Sequence, residues 1–221
     1  MTTNKAFIKL YIADVSALSD PALFDRAYKA ASEKRRKKID RLRQDRDKRL
    51  SLGAECLLKI ALKNEGIDDF EYQYGEHGKP YIDGNIKFSI SHSGDYALCA
   101  VSNRKIGCDI EQIGTADLRL AKRFFTEAEY EMLSSSESDL DTLFFRIWTM
   151  KESLIKLTGL GINQPLNSFE VDVCKGKTLY SDAIYHFKEY EIDKKYRYCV
   201  CSESTCKPTI INVDLGKEVI G

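Results

Sequence analysis

At 221 residues the chain can form one large domain or two small ones, and it should bury about 70% of its unfolded surface. Its 34 basic and 34 acidic side chains cancel, so no overall field draws it toward nucleic acid or a membrane surface. Seven scattered cysteines without a CxxC pair, and only three histidines, argue against a zinc site and suit buried thiols in a reducing cytosol.

In chain order, residues 7–15 have the pattern of a strand. Asp20-Pro21 supplies an N-cap and a proline at the first helical position, so a helix starts there. Residues 32–62 are helical in pattern, with a break near Gln44 and an end by Gly66. Strands are expected over 70–74, 86–90 and 96–101, and another opens at Ile106. Thr126 and Glu129 form a capping box, with Phe125 and Tyr130 placed for a hydrophobic staple. A serine-rich connector, 134–136, precedes a long helix over 140–158 that Gly159 and Gly161 close. More strands are expected from Phe169 to the C-terminus. The start, Met1 to Lys5, has no apolar run, and no stretch approaches the roughly 20 residues that span a bilayer. Gly66-Ile67 before Phe70-Glu71-Tyr72 parallels Gly161-Ile162 before Phe169-Glu170-Val171, a likeness too thin to count as a repeat.

Two segments carry chemistry. In Ile106-Gly107-Cys108-Asp109-Ile110-Glu111, apolar and polar residues alternate, so Asp109 and Glu111 leave the same strand face about 6.6 Å apart at the backbone. Two carboxylates at that spacing can lean onto one hard cation. In the long helix, Phe144, Ile147, Trp148, Leu154 and Ile155 make an apolar stripe, and Lys151 falls on it. An ammonium there is costly unless it meets an anion. Glu152 and Lys156, four residues apart, share a neighbouring face; taken alone they read as a surface ion pair. A basic cluster runs from Lys34 through Lys38 to Arg41, Arg43, Arg46, Lys48 and Arg49. Alone it reads as a nucleic-acid helix or a solvated face, but no aromatic residues interleave with it to stack on bases. Ser91 and His92 are not a hydrolase pair, because adjacent strand residues point to opposite faces.

These segments keep company with Gly78-Lys79-Pro80, Phe88-Ser89-Ile90-Ser91-His92-Ser93-Gly94 and Lys122-Arg123-Phe124-Phe125-Thr126-Glu127. In this order and spacing, from about residue 32 to 169, the chain resembles the surfactin-synthetase-activating (Sfp-like) class of 4′-phosphopantetheinyl transferases. The resemblance implies an α+β fold of two similar halves about a pseudo-twofold axis, 1–104 and 105–221, with the active site in the cleft between them. It implies coenzyme A as donor and a serine of an apo acyl, peptidyl or other carrier protein as acceptor. Asp109, Glu111 and Glu152 would hold magnesium, or manganese in its place. Glu152, Lys156 and Lys151 would be catalytic. Lys34, Lys37, Arg49, Ser91, His92 and Lys156 would meet phosphates, Lys79 would lie near the adenine, and the carrier would dock over residues 118–125. The implied protein is a cytoplasmic monomer without nucleic-acid or membrane partners. Two alternatives stand beside this reading: another metal-dependent phosphotransfer enzyme or hydrolase, and a non-catalytic binder of coenzyme A or RNA.

Overall fold

The computed structural model describes residues 5–136 and 139–218; of the expected apolar-free start, Met1 to Asn4 lie outside them. Strand β1 (Ile8–Asp14) leads into α1 (Pro21–Ala30), α2 (Glu33–Arg41) and α3 (Asp45–Lys63). A short hairpin of β2 (Gln73–Tyr74) and β3 (Pro80–Tyr81) follows, then β4 (Lys87–Ser93), β5 (Tyr96–Ser102) and β6 (Ile106–Gln112). Helices α4 (Leu118–Phe124), α5 (Glu127–Ser134) and α6 (Leu140–Thr158) precede β7 (Lys177–Tyr180), β8 (Ala183–Tyr190), β9 (Tyr196–Ser202), β10 (Thr209–Val213) and α7 (Leu215–Glu218).

The local signals work as their chemistry requires. Asp20 accepts from the Ala22 amide ahead of Pro21, and Ser32 accepts from Arg35 at the start of α2. Thr126 and Glu129 cap α5 reciprocally, and the αL backbone of Gly159 ends α6. Phe125 is buried beside Phe144 and Trp148, with ring centroids 5.4 and 6.4 Å away.

Two four-stranded sheets, ordered β10-β1-β5-β4 and β6-β9-β8-β7, carry the fold. Ile8, Leu10 and Ile12 of β1 meet Ile106, Cys108 and Ile110 of β6 in an apolar cluster between the sheets. The alternate residues face outward and are buried again. Tyr11, Cys99 and Val101 pack under α3, while Cys199, Cys201 and Phe187 pack under α6. Each sheet is thus covered on both faces, which is why β1 and β9 read as nearly continuous apolar runs.

Three expectations change. Only Gln73–Tyr74 of the 70–74 stretch is strand, because Phe70 and Tyr72 turn their rings into an edge contact at 5.0 Å and pack on the first core. The strand expected at Phe169 does not form: Phe169 and Val171 are buried, but the Val171 amide donates to a side chain, Glu129 Oε1, instead of to a ladder. And β10 leaves the second half altogether, pairing parallel with β1 from Lys9↔Thr209 to Ala13↔Val213.

Candidate active site

The edge strands β4 and β6 meet through serine hydroxyls. Ser89, Ser91 and Ser93 share one face of β4 by period 2. Ser89 Oγ accepts from the Cys108 amide at 3.0 Å, and Ser93 Oγ accepts from that of Gln112 at 3.1 Å. Ser91 and Ser93 donate to Asp109 Oδ1 and Glu111 Oε2, both at 2.8 Å. Helix α6 lies directly on this seam. A Cβ at Gly107 would overlap the Ser153 carbonyl oxygen and the Leu157 nitrogen, so only glycine lets the helix backbone come this close. That contact brings Glu152 and Lys156 beside the two strand carboxylates.

Asp109 is almost fully buried. Its Oδ1 accepts from Lys156 Nζ at 2.6 Å, and Lys156 also donates to Ser91 Oγ at 2.7 Å. Asp109 Oδ2 is buried and has no hydrogen-bond partner among the described residues. Burial pushes the Glu111 carboxyl up to about 7, the Asp109 charge adds to this, and the Ser93 hydroxyl opposes it. Glu152 is raised as well, by burial first and then by Asp109. Burial alone would lower the Lys156 ammonium, but the Asp109 carboxylate, with smaller contributions from Cys108 and Glu152, makes the net shift upward.

Across a cleft of about 1020 Å³ stands helix α2, which presents Lys34, Arg35, Lys37, Lys38 and Arg41 to the same space as Asp109, Glu111, Glu152 and Lys156. Lys34 Nζ sits 3.3 Å from the centroid of the Tyr74 ring. Ser91 and His92 also line the cleft; burial lowers the His92 pKa, and Lys156 and Lys38 add to it. Lys79 lies in an adjoining cavity of about 280 Å³. Its Nζ donates to the Leu157 and Ile106 carbonyls at 3.0 and 3.4 Å, and burial lowers its pKa to about 8.

Eight of the candidate residues therefore share one cleft, and three do not. Lys151 is turned the other way. Its ammonium is wholly buried in the second core and ion-pairs with Glu129 at 2.7 Å, donating also to the Leu166 and Phe169 carbonyls. The apolar stripe finds its anion inside the core, and Lys151 lies outside the cleft. Arg49, half-buried on α3, lines neither cavity, and Lys79 lines only the adjoining one. Lys38 and Arg41, expected only as members of the basic cluster, line the cleft as well, and so do Tyr72 and Tyr74. Lys34, Lys38 and Arg41 recur at i, i+4 and i+7, a spacing that marks one helix face.

Among the described residues, no three His, Cys, Asp or Glu side chains are gathered tightly enough to grip a metal as they stand. The donor set nonetheless fits a hard divalent cation. It consists of carboxylate oxygens alone, one of them the orphaned Asp109 Oδ2, and burial followed by the Asp109 charge raises the pKa of both Glu111 and Glu152, a cost that a bound cation would offset.

A cationic wall thus faces a cluster of carboxylates and one lysine across the cleft. Comparisons with known proteins show the class to which such a chain belongs. The 4′-phosphopantetheinyl transferase superfamily model matches residues 105–202. A 4′-phosphopantetheinyl transferase of Bacillus subtilis is 35% identical over 189 residues, 80% of this chain and 84% of that protein. The 4′-phosphopantetheinyl transferase Sfp of Bacillus subtilis strain 168 is 32% identical over 200 residues, covering 86% and 89%. The corresponding transferase gsp of Aneurinibacillus migulanus is 39% identical over 133 residues, covering 58% and 56%. The chain belongs to the 4′-phosphopantetheinyl transferase family and is a transferase of that type.

Proposed function

We propose that this enzyme moves the 4′-phosphopantetheine arm of coenzyme A onto a serine hydroxyl of an apo carrier protein, releasing adenosine 3′,5′-bisphosphate. The observation that carries the reading is the single cleft in which the α2 cations face Asp109, Glu111, Glu152 and Lys156. Lys34, Lys37, Lys38 and Arg41 with His92 would hold the donor's phosphates by charge-assisted bonds. Asp109, Glu111 and Glu152 would hold magnesium, which when bound neutralises charge on the pyrophosphate.

The acceptor oxygen attacks the β-phosphorus while the bond to the leaving phosphate breaks. Glu152 lines the cleft beside Asp109 and Lys156 and would take the serine proton directly or through a water. Lys156 stabilises the charge that develops on the phosphate oxygens, held in place by Asp109 and Ser91. As in phosphoryl transfer generally, positioning and electrostatics do most of the work.

We take 1–104 and 105–221 as two similar halves, with β10 of the second completing the sheet of the first. In support, α3 and α6 are both 19-residue helices, each covering a four-stranded sheet. No described helix is long and apolar enough to cross a membrane. The direct test is the mass of several apo carriers after incubation with enzyme, coenzyme A and magnesium. A gain of one phosphopantetheine group on the acceptor serine is expected, and unchanged masses on all of them would refute the reading.

A further inference from the structure

Glu55, near the middle of α3, is a buried carboxylate that the transfer chemistry does not use; it is 1% exposed. Its Oε1 accepts from the Ser32 backbone amide at 2.8 Å, and its Oε2 accepts from Arg35 Nε at 2.6 Å. Arg35 Nη1 donates in turn to Ser51 Oγ at 3.1 Å. Ser32 is also the N-cap of α2. The first turn of α2 is therefore tied to α3 by a charged pair and a backbone bond at one point.

Helix α2 needs such a tie. It carries six cations (Lys34, Arg35, Arg36, Lys37, Lys38, Arg41) against two anions (Glu33, Asp40), and Ile39 is its one buried residue. Its other polar attachments are at exposed or half-buried positions: Tyr28 donating to Asp40, Arg36 donating to the carbonyls of Lys29 and Ala31, and Lys34 over the Tyr74 ring. A nine-residue helix with so little apolar anchorage and so much like charge has no strong reason of its own to lie against the cleft.

We infer that Glu55 is a positioning residue for donor binding: by holding Ser32 and Arg35 it sets the α2 lysines at the height of the donor's phosphates. Because Arg35 is held by Glu55 and Ser51, it serves as the strut; Lys34, Lys38 and Arg41 face the ligand space, and Lys37 joins them from an exposed pair with Glu33. The inference deepens the functional reading above and rests on it.

The test compares the parent with Glu55→Gln and Arg35→Gln by calorimetric titration with coenzyme A and by steady-state transfer to an apo carrier. Removing a group that orients ligand-holding residues typically weakens the site by about ten- to a hundredfold. The expected result is therefore a rise of about tenfold or more in Kd and KM for coenzyme A. KM for the carrier and kcat should move far less, and amide exchange should quicken in α2 but not in α6. General loosening would instead spread the loss over both substrates and both helices, and that pattern overturns the inference. So does a soluble Glu55→Gln with the parent's affinity. Arg35→Gln cuts the same tie from α2, but Arg35 also lines the cleft; if Glu55→Gln does not fold, amide exchange in α2 of Arg35→Gln decides the matter, quickened exchange supporting the tie and unchanged exchange overturning it. A parent that neither binds coenzyme A nor modifies a carrier defeats the functional reading and the tether together. A parent that does both, matched by its variants, defeats the tether alone.

Discussion

Asp109 and Lys156 meet at 2.6 Å through one carboxylate oxygen, which also takes the Ser91 hydroxyl, while the other oxygen is buried without a donor. The carboxylate is thus divided between a fixed end and an available one. Asp109→Asn removes the charge from both.

Loss of one such preorganised charge commonly costs about a hundredfold or more in rate, so kcat of Asp109→Asn should fall by at least that factor. Glu111→Gln should behave similarly, and Glu152→Gln should be at least as damaging. Manganese titration of the enzyme alone, followed by electron paramagnetic resonance, should show weaker binding in all three. Full transfer in chelator without added metal would contradict the metal assignment.

The cationic wall makes a separate prediction. Alanine at Lys34, Lys38, Arg41 or His92 should each raise KM for coenzyme A by about tenfold, the measure of one charge-assisted bond, with a smaller change in kcat. Dephospho-coenzyme A, which lacks the ribose phosphate, should discriminate less between parent and variants. Four variants with the parent's KM would move the donor elsewhere.

Lys151 should matter for stability rather than for chemistry. Lys151→Met leaves Glu129 buried without its cation, a change that costs about 3–5 kcal/mol when a buried pair is broken. Urea unfolding should show a lower midpoint, while the folded fraction keeps its KM values for both substrates. A large loss of kcat in a variant of unaltered stability would return Lys151 to the catalytic machinery.

Lys79 gives the stability a pH dependence of defined sign. Its folded pKa, about 8, lies below the ordinary 10.5, so the folded state releases its proton first. The penalty for burying the ammonium is complete below pH 8, shrinks as pH rises from 8 toward 10.5, and is gone above that. The stability of the parent relative to Lys79→Met should therefore increase across that interval in paired denaturant melts. A flat difference would mean that the ammonium is not desolvated.

Burial narrows the surface that a carrier docked over 118–125 would meet. Phe125 is in the core and Phe124 half-buried, whereas Leu118, Leu120 and Met132 are 38%, 40% and 42% exposed. Arg119 and Lys122 are exposed beside them. Rim charges act chiefly on encounter. Arg119→Glu with Lys122→Glu should lower kcat/KM for an acidic carrier at low salt and leave KM for coenzyme A nearly unmoved. Equal rates at limiting carrier would place docking on another face.

What could be read in advance divides by the range of the interactions. The bounds of α6, the cap of α5 and the proline start of α1 follow from neighbours within a few residues, and they appear where the sequence put them. The shared face of Asp109 and Glu111 follows from strand period alone. The anion that meets Lys151 is 22 positions away on another helix, and Glu129 had already been given a local task as a cap. Periodicity could say that Lys151 needs a partner, not which one. Likewise Gly107 reads as a small residue in a motif until α6 is laid across it.

The pairing of β10 with β1 joins the beginning of the chain to a segment about two hundred residues later. The sheet that backs α3 and carries Ser91 and His92 stays one strand short, with β1 as an open edge, until Thr209–Val213 has been made. During synthesis the earlier half therefore waits for the last strand of the later one. A cut between 104 and 105 would not release two self-sufficient pieces: the first would expose an unpaired, apolar β1, and the second would trail a strand with nothing to pair with.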